Sequence, residues 1–427
     1  MRMNHLVYWV WLSLRCGAGS ELGSYLLKHF ETPKDIYEAK REDLLAIKGI
    51  NEPIAEALMD RSLVFPQKIV EYCERVNVGI LTLESANYPN RLRDIYAKPI
   101  VLYYKGKLPD IDNNVLIACV GMRKCSESGA QNAYQLGKDL ASAGAIVVSG
   151  MASGIDSAVQ SGVIAAGGHT IAVLGCGIDQ VYPPQNGKLM NQIAKTGTLM
   201  TEYAPGTAPV GRNFPIRNRI ISGLSQGTVV VEANYKSGSL ITSDYAVRQG
   251  RDIFAFPGSP ESDCAKGTNA LIRKGAKLVV CAEDILEEYE LLYPDRIFTE
   301  NIAMRKHSVK RESSETEVME AIASPPAPRK KEKAVSVKKK APSAVPKKEP
   351  EPVALTEQKN TAESCTDTAG REILSVIRGE MSVDEIAAAL SASKGKRFEI
   401  GEILGTLTLL ELDGFLCALP GGKYRLN

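Results

Sequence analysis

The residue types best suited to chemistry in this chain gather in two neighbouring stretches. Asn213-Phe-Pro-Ile-Arg-Asn-Arg-Ile-Ile-Ser222 sets Arg217, Asn218 and Arg219 at the mouth of a helical pattern. Tyr235 and Lys236-Ser-Gly-Ser-Leu-Ile-Thr242 then deliver a lysine and the turn Ser237, Gly238, Ser239 to the start of another helix. Free backbone N–H groups at helix starts, Ser and Thr hydroxyls, and Arg or Lys heads are the groups that hold phosphate. No nucleophile-and-base motif accompanies them, so the combination is that of a protein that holds a polyanion without breaking it.

Strands must place these groups, and the sequence supplies them. Continuous apolar runs at 115–120, 145–149, 170–174, 198–202, 228–232, 253–257 and 277–281 read as strands covered on both faces, with helical patterns between them. The expected fold class is α/β, a Rossmann-like doubly wound, mainly parallel sheet with its ligand at the carboxyl ends of the strands. The turn after the first run carries Gly121, then Arg123, then Ser126 at a helix start, which is a phosphate-binding arrangement. The next turn, Ser149-Gly-Met-Ala-Ser-Gly-Ile-Asp156, offers bare backbone at Gly150 and Gly154, and Asp156 is expected to cap its helix. Gly175-Cys-Gly-Ile-Asp179 lacks the third glycine of a dinucleotide fingerprint, so no cofactor is expected. Arg217 and Arg219 have a second reading, as internal ion pairs with Glu202 or Glu232; ligand binding is preferred because glycine turns surround them. Among aromatics that could stack a base, Tyr235 is preferred to Phe214, since a core position is the commoner fate of Phe.

Composition narrows the rest. At 427 residues the chain should hold two or three domains, since one core rarely grows past roughly 250–300 residues. A net charge of +2 means that any nucleic-acid site is a local patch. The nine cysteines are scattered without a Cys-x-x-Cys pair and there are four histidines, so neither a disulfide framework nor a metal site is indicated. The apolar stretch 6–14 behind Arg2 is shorter than the about 20 residues that span a bilayer. It is expected to be a buried first helix of a cytoplasmic protein with no membrane contact.

Four regions are expected. Residues 1–75 form short helices, in which 44–51 and 54–58 around Gly49 resemble a helix-hairpin-helix (SAM-like) element; plain helical packing is the other reading. Residues 76–303 are the Rossmann-like domain. Residues 304–368, rich in Lys, Pro, Ala and Ser, read as a disordered basic tether, solvated rather than DNA-bound. Residues 369–427 read as a winged helix, with helices near 371–377, from Ser382 with Glu385 in a capping box, and near 398–412, then two strands. Glu399, Glu402 and Glu411 on the third helix would repel phosphate, so a protein-contacting or spacer role is expected there.

The ordered set Val120-Gly-Met-Arg123, Ser149-Gly-x-x-x-Gly-Ile-Asp156, Thr170-Ile-Ala-Val-Leu-Gly-x-Gly177, Tyr182-Pro183, Phe214-Pro-x-Arg-Asn-Arg-Ile-Ile-Ser222, Ser237-Gly-Ser-Leu-Ile-Thr242, Pro257-Gly258 and Gly267-Thr-Asn-x-Leu-Ile272 resembles the DNA-processing protein A (DprA/Smf) family. The resemblance implies a non-enzymatic single-stranded-DNA-binding protein of natural transformation. Such a protein protects incoming strands, loads the RecA recombinase and works as a homodimer. It carries DNA contacts to Arg123, to Arg217, Asn218 and Arg219, and to Lys236 with Ser237, Gly238 and Ser239. The chain departs from the family at Met122, where Ser is usual, at Gln160, where His is frequent, and at Ser153, where Arg is common. Two enzymes compete. A nucleoside-monophosphate phosphoribohydrolase-like activity would need the Glu of a Pro-Gly-Gly-x-Gly-Thr-x-x-Glu turn, which the stretch from Lys236 to Asp244 lacks. An NAD-dependent oxidoreductase would need the full glycine fingerprint and ranks last.

Overall fold

The structure is a computed structural model that describes residues 5–302 and, further on, 368–379, 381–394, 403, 406, 407, 410, 416–419 and 423–426. The expected tether, apart from Thr368, and most of the expected third C-terminal helix with its three glutamates lie outside these residues. The chain divides into two compact units, residues 1–327 and 328–427.

Six helices open the first unit: α1 (Leu6–Cys16), α2 (Leu22–Leu26), α3 (Pro33–Glu38), α4 (Arg41–Leu45), α5 (Glu52–Met59) and α6 (Val64–Arg75). Their starts are written locally. Thr32 and Asp35 close a capping box on α3, and Asn51 accepts from Ile54 N at 3.2 Å to cap α5. The apolar run 6–14 is indeed a buried helix, with Trp9 and Trp11 in the core. No helix among the described residues is long and apolar enough to cross a membrane.

Nine strands form one sheet: β1 (Gly79–Thr82), β2 (Val101–Gly106), β3 (Leu116–Val120), β4 (Ile146–Ser149), β5 (Thr170–Val173), β6 (Thr198–Thr201), β7 (Gly227–Val230), β8 (Asp252–Ala255) and β9 (Lys277–Leu278), in the order β1-β2-β6-β5-β4-β3-β7-β8-β9. The seven expected strands are the parallel part, while β2 adds to β6, and β1 to β2, in antiparallel sense. Helices α7 (Glu127–Ser142), α8 (Ile155–Ala165), α9 (Gly187–Thr196), α10 (Asn213–Leu224), α11 (Ser239–Arg248), α12 (Lys266–Arg273) and α13 (Glu283–Leu286) connect and cover them. Side chains alternate across each strand. Ile117 and Cys119 of β3 join the core under α7 and α8, whereas Leu116, Ala118 and Val120 join the core under α10. The sheet is therefore doubly wound and Rossmann-like.

The boundary expected at residue 75 is not a gap in packing. Val7, Trp9 and Trp11 of α1 and Ile69 of α6 share one core with Val101, Ala172, Leu199 and Ile193 of the sheet layer. The reason is that β1 and β2 extend the sheet beyond β6, and the N-terminal helices cover that extension.

The second unit contains α14 (Thr368–Val376), β10 (Met381–Ser382), α15 (Val383–Lys394), β11 (Leu416–Leu419) and β12 (Lys423–Leu426), with strand order β10-β12-β11. The capping box forms: Ser382 N donates to Glu385 at 2.7 Å and Glu385 N to the Ser382 hydroxyl at 3.4 Å. Ile373, Ile377, Ile386, Leu390 and Leu416 are among its core residues.

Candidate nucleic-acid interface

Strand order reverses between β3 and β7, and the groups singled out in the sequence lie at the carboxyl ends of these strands and their neighbours. The loop after β3 is fixed by its own backbone. Met122 N donates to Glu232 O at 3.0 Å, and Met122 O accepts from Ile155 N at 3.2 Å. Gly154, at φ +79°, lies so close beneath that a Cβ there would come within 2.3 Å of Met122 O and 2.6 Å of Arg123 O. The bare face of Gly154 thus supports the loop and is not offered to a ligand. Arg123 stands on that support, exposed, with its guanidinium carbon 5.4 Å from the centroid of the Phe214 ring.

Phe214 is the residue whose importance the sequence understated. Its half-buried ring lies on the backbone of Gly175, where a Cβ would meet it at 2.7 Å, and 5.0 Å from the ring of Tyr182. Arg217 approaches the same ring at 5.9 Å. A partly exposed aromatic face beside an exposed guanidinium is the equipment for holding a base and its phosphate together. The signal was present in the spacing, because Phe214 sits three residues before Arg217 and so shares its helix face.

The paired arginines of α10 do not behave as surface phosphate ligands. Arg217 is 3% exposed; its Nη1 donates to Gly150 O at 2.9 Å and to Val173 O, and its Nε to Asn218 Oδ1 at 3.2 Å. A Cβ on Gly150 would meet Arg217 Nη2 at 2.6 Å and Asp156 Oδ2 at 2.7 Å, so Gly150 is glycine to admit these two side chains. Asp156 does not cap α8. It accepts from Gly150 N at 3.1 Å and Ala152 N at 3.4 Å, tying the loop that precedes the helix. Burial holds the Arg217 guanidinium down at about 10, with Asp156 pulling the other way, and the same burial raises the Asp156 carboxyl. Arg219 is 2% exposed and closes the internal ion pair: Nη2 meets both Glu202 oxygens at 2.8 Å, and Nε donates to Ala97 O at 2.9 Å. The ion-pair reading holds for Arg219, with Glu202 as partner. Burial pushes the Glu202 carboxyl up while Arg219 draws it down.

The helix-start amides expected to seat phosphate are largely used internally. At α7, Ser126 N donates to Glu232 Oε2 at 2.9 Å, the Ser126 hydroxyl donates to Glu232 Oε1, and Ser126 Oγ accepts from Gly129 N at 2.9 Å. At α10, Asn213 N goes to Val210 O and Phe214 N to Gly211 O; before α11, Lys236 N goes to Asn234 Oδ1 and Ser237 N to Asn234 O. Ser237 and Ser239 bond each other at 2.7 Å, and Ser239 is buried. What remains turned to solvent is the side chains of Arg123, Lys124, Arg212 and Lys236 and the backbone of Gly238, with Tyr235 63% exposed on the same loop as Lys236. Lys124 and Arg212 each stand one residue outside the motifs of the sequence.

The family model for DNA recombination-mediator protein A matches residues 79–290. Protein Smf of Synechocystis is 36% identical over 290 residues, 67% of this chain and 73% of that protein. DNA processing protein DprA of Streptococcus pneumoniae is 43% identical over 203 residues, 48% of this chain and 71% of that protein. The X-ray structure of that DprA superposes with a TM-score of 0.59 at 33% identity, covering 67% of this chain and 99% of the other. These relatives and the family model show that the chain belongs to the DNA-processing protein A (DprA/Smf) family of recombination mediators.

Proposed function

We propose that this chain binds single-stranded DNA on the carboxyl-end rim of its sheet, shields it, and passes it to the RecA recombinase in transformation or recombination. The observation that carries this reading is the exposed Arg123 guanidinium 5.4 Å from the half-exposed Phe214 ring, with Tyr182 beside it. Cations that follow a backbone and an aromatic face that takes any base are what an unpaired strand asks of a protein. Lys124, Arg212 and Lys236 supply further exposed positive charge around the strand ends. Arg217 serves as a buried post that fixes Phe214 and the loop of Gly150, and Arg219 as a structural ion pair. Ser126, Gly150 and Gly154 shape the rim without touching the strand.

The protein works as a cytoplasmic homodimer in this reading; Leu278 and Val280, exposed at the β9 edge, are the apolar surface a second copy would cover. Residues 1–75 act as a helix-hairpin-helix-like element and 369–427 as a winged helix that contacts protein.

Fluorescence anisotropy of labelled oligo(dT) and of the matching duplex, at two salt concentrations, tests the central claim. Tighter binding of the single strand, weakened steeply by salt, supports it. Equal affinity for duplex and single strand removes it, and release of base from a nucleoside monophosphate moves the chain to the enzyme reading. RecA loading is tested separately, by the rate of filament formation on strands precoated with single-strand-binding protein.

A further inference from the structure

Open α/β sheets hold ligands in the crevice where strand order reverses, with phosphate against the amides of the helix that follows the first strand. In this chain the reversal lies between β3 and β7, and that helix is α7, of 16 residues. The crevice is filled from within. Glu232, two residues beyond β7, places its carboxylate at the first turn of α7, taking Ser126 N on one oxygen at 2.9 Å and the Ser126 hydroxyl on the other. Gly129 closes over it, since a Cβ there would come within 2.2 Å of Glu232 Cδ and 2.4 Å of Oε1. The backbone of Glu232 meanwhile holds the Arg123 loop through Met122 N.

We infer that Glu232 is a built-in anion occupying the seat that a nucleotide phosphate takes in a dinucleotide-binding sheet, and that it is the residue that excludes free nucleotides from the rim. A carboxylate presents two oxygen acceptors and a negative charge, as one edge of a phosphate does, so the seat is satisfied and any second anion is repelled. The loop that Glu232 holds then carries Arg123 on the outer side, where only a phosphate lying outside the crevice reaches it. The selectivity part of this inference rests on the strand-binding reading; the filled seat rests on the crevice geometry alone.

The experiment compares pyrophosphate and ADP binding by calorimetry for the full chain, Glu232→Ala and Glu232→Gln, with melting temperature and oligo(dT) affinity measured in parallel. Emptying the seat in Glu232→Ala is expected to give saturable pyrophosphate binding at least tenfold tighter than in the unaltered chain, and a melting temperature that rises with pyrophosphate only in the variant. Glu232→Gln keeps the shape and loses the charge, so a smaller gain of about threefold is expected. Pyrophosphate binding to the unaltered chain as tight as to Glu232→Ala overturns the inference, as does a folded Glu232→Ala without the gain. Should Glu232→Ala not fold, Glu232→Gln decides, and an unchanged pyrophosphate affinity in it is fatal. Failure of the unaltered chain to bind oligo(dT) sinks the strand reading and leaves the pyrophosphate comparison standing.

Discussion

Arg123 and Arg219 are the same side chain used in opposite ways at one end of the same sheet. Arg123 stands on a backbone loop, exposed, against an aromatic ring, and its charge is offered outward. Arg219 is 2% exposed, with its fork on both oxygens of Glu202. The difference arises from where each sits on its element. Arg123 belongs to a turn anchored through the main chain of Met122, and its exposed head meets only the Phe214 ring among the described contacts. Arg219 lies on α10 beside Ile220 and Ile221, which are packed under the sheet, and burial compels a partner. Arginines in one motif are therefore not one functional class, and exposure separates the ligand-holding members from the architectural ones.

That contrast can be broken most sharply at Arg219. Arg219→Leu leaves Glu202 charged and buried without its partner, and the first unit should lose about 3–5 kcal/mol in chemical denaturation. The double change with Glu202→Leu should recover most of that loss, because replacing both members by apolar groups removes the unpaired charge. Arg123→Ala reverses the pattern: stability within about 0.5 kcal/mol, oligo(dT) affinity down about tenfold, and a salt slope shallower by about one. Arg123→Lys sharpens the point. It keeps the charge and the salt slope, but loses the planar guanidinium against Phe214, so a loss of about threefold in anisotropy is expected.

The smallest effect is read by pH. His169, mostly buried and bonded to Thr198 at 3.0 Å, is held down at about 4 by burial and by the nearby Lys107 charge, from an ordinary 6.5. A folded-state value below the unfolded one means that the unfolded chain takes up the proton first. Stability is then complete above about 6.5 and falls as pH drops towards about 4, by at most one proton per molecule. His169→Gln should flatten that part of the profile of denaturation midpoint against pH, and an unchanged profile would show that other groups set it.

Much of the fold could be read from the chain because its signals are local. Seven apolar runs became the seven parallel strands, and Ser382 with Glu385 formed the expected capping box. The antiparallel pair β1 and β2 lies outside the seven apolar runs, and the neighbour of β2 is β6, far along the sequence. The site divides on the same line. Arg123 after a glycine turn announces itself, and Lys236 beside Ser237 does too. The fate of Ser126 is decided by Glu232, 106 residues later, and that of Arg219 by a carboxylate 17 residues earlier, just past the end of β6. A sequence window shows a donor; it does not show which acceptor arrives first.

Glu202 has one further consequence. The carboxylate that holds Arg219 of α10 also accepts from Gly19 N, at 3.3 Å, in the loop after α1. A Cβ on Gly19 would meet Ile216 of α10 at 2.4 Å, so that loop rests directly on the helix. The opening segment of the chain and the rod beneath the Phe214 ring are thus stapled at one point.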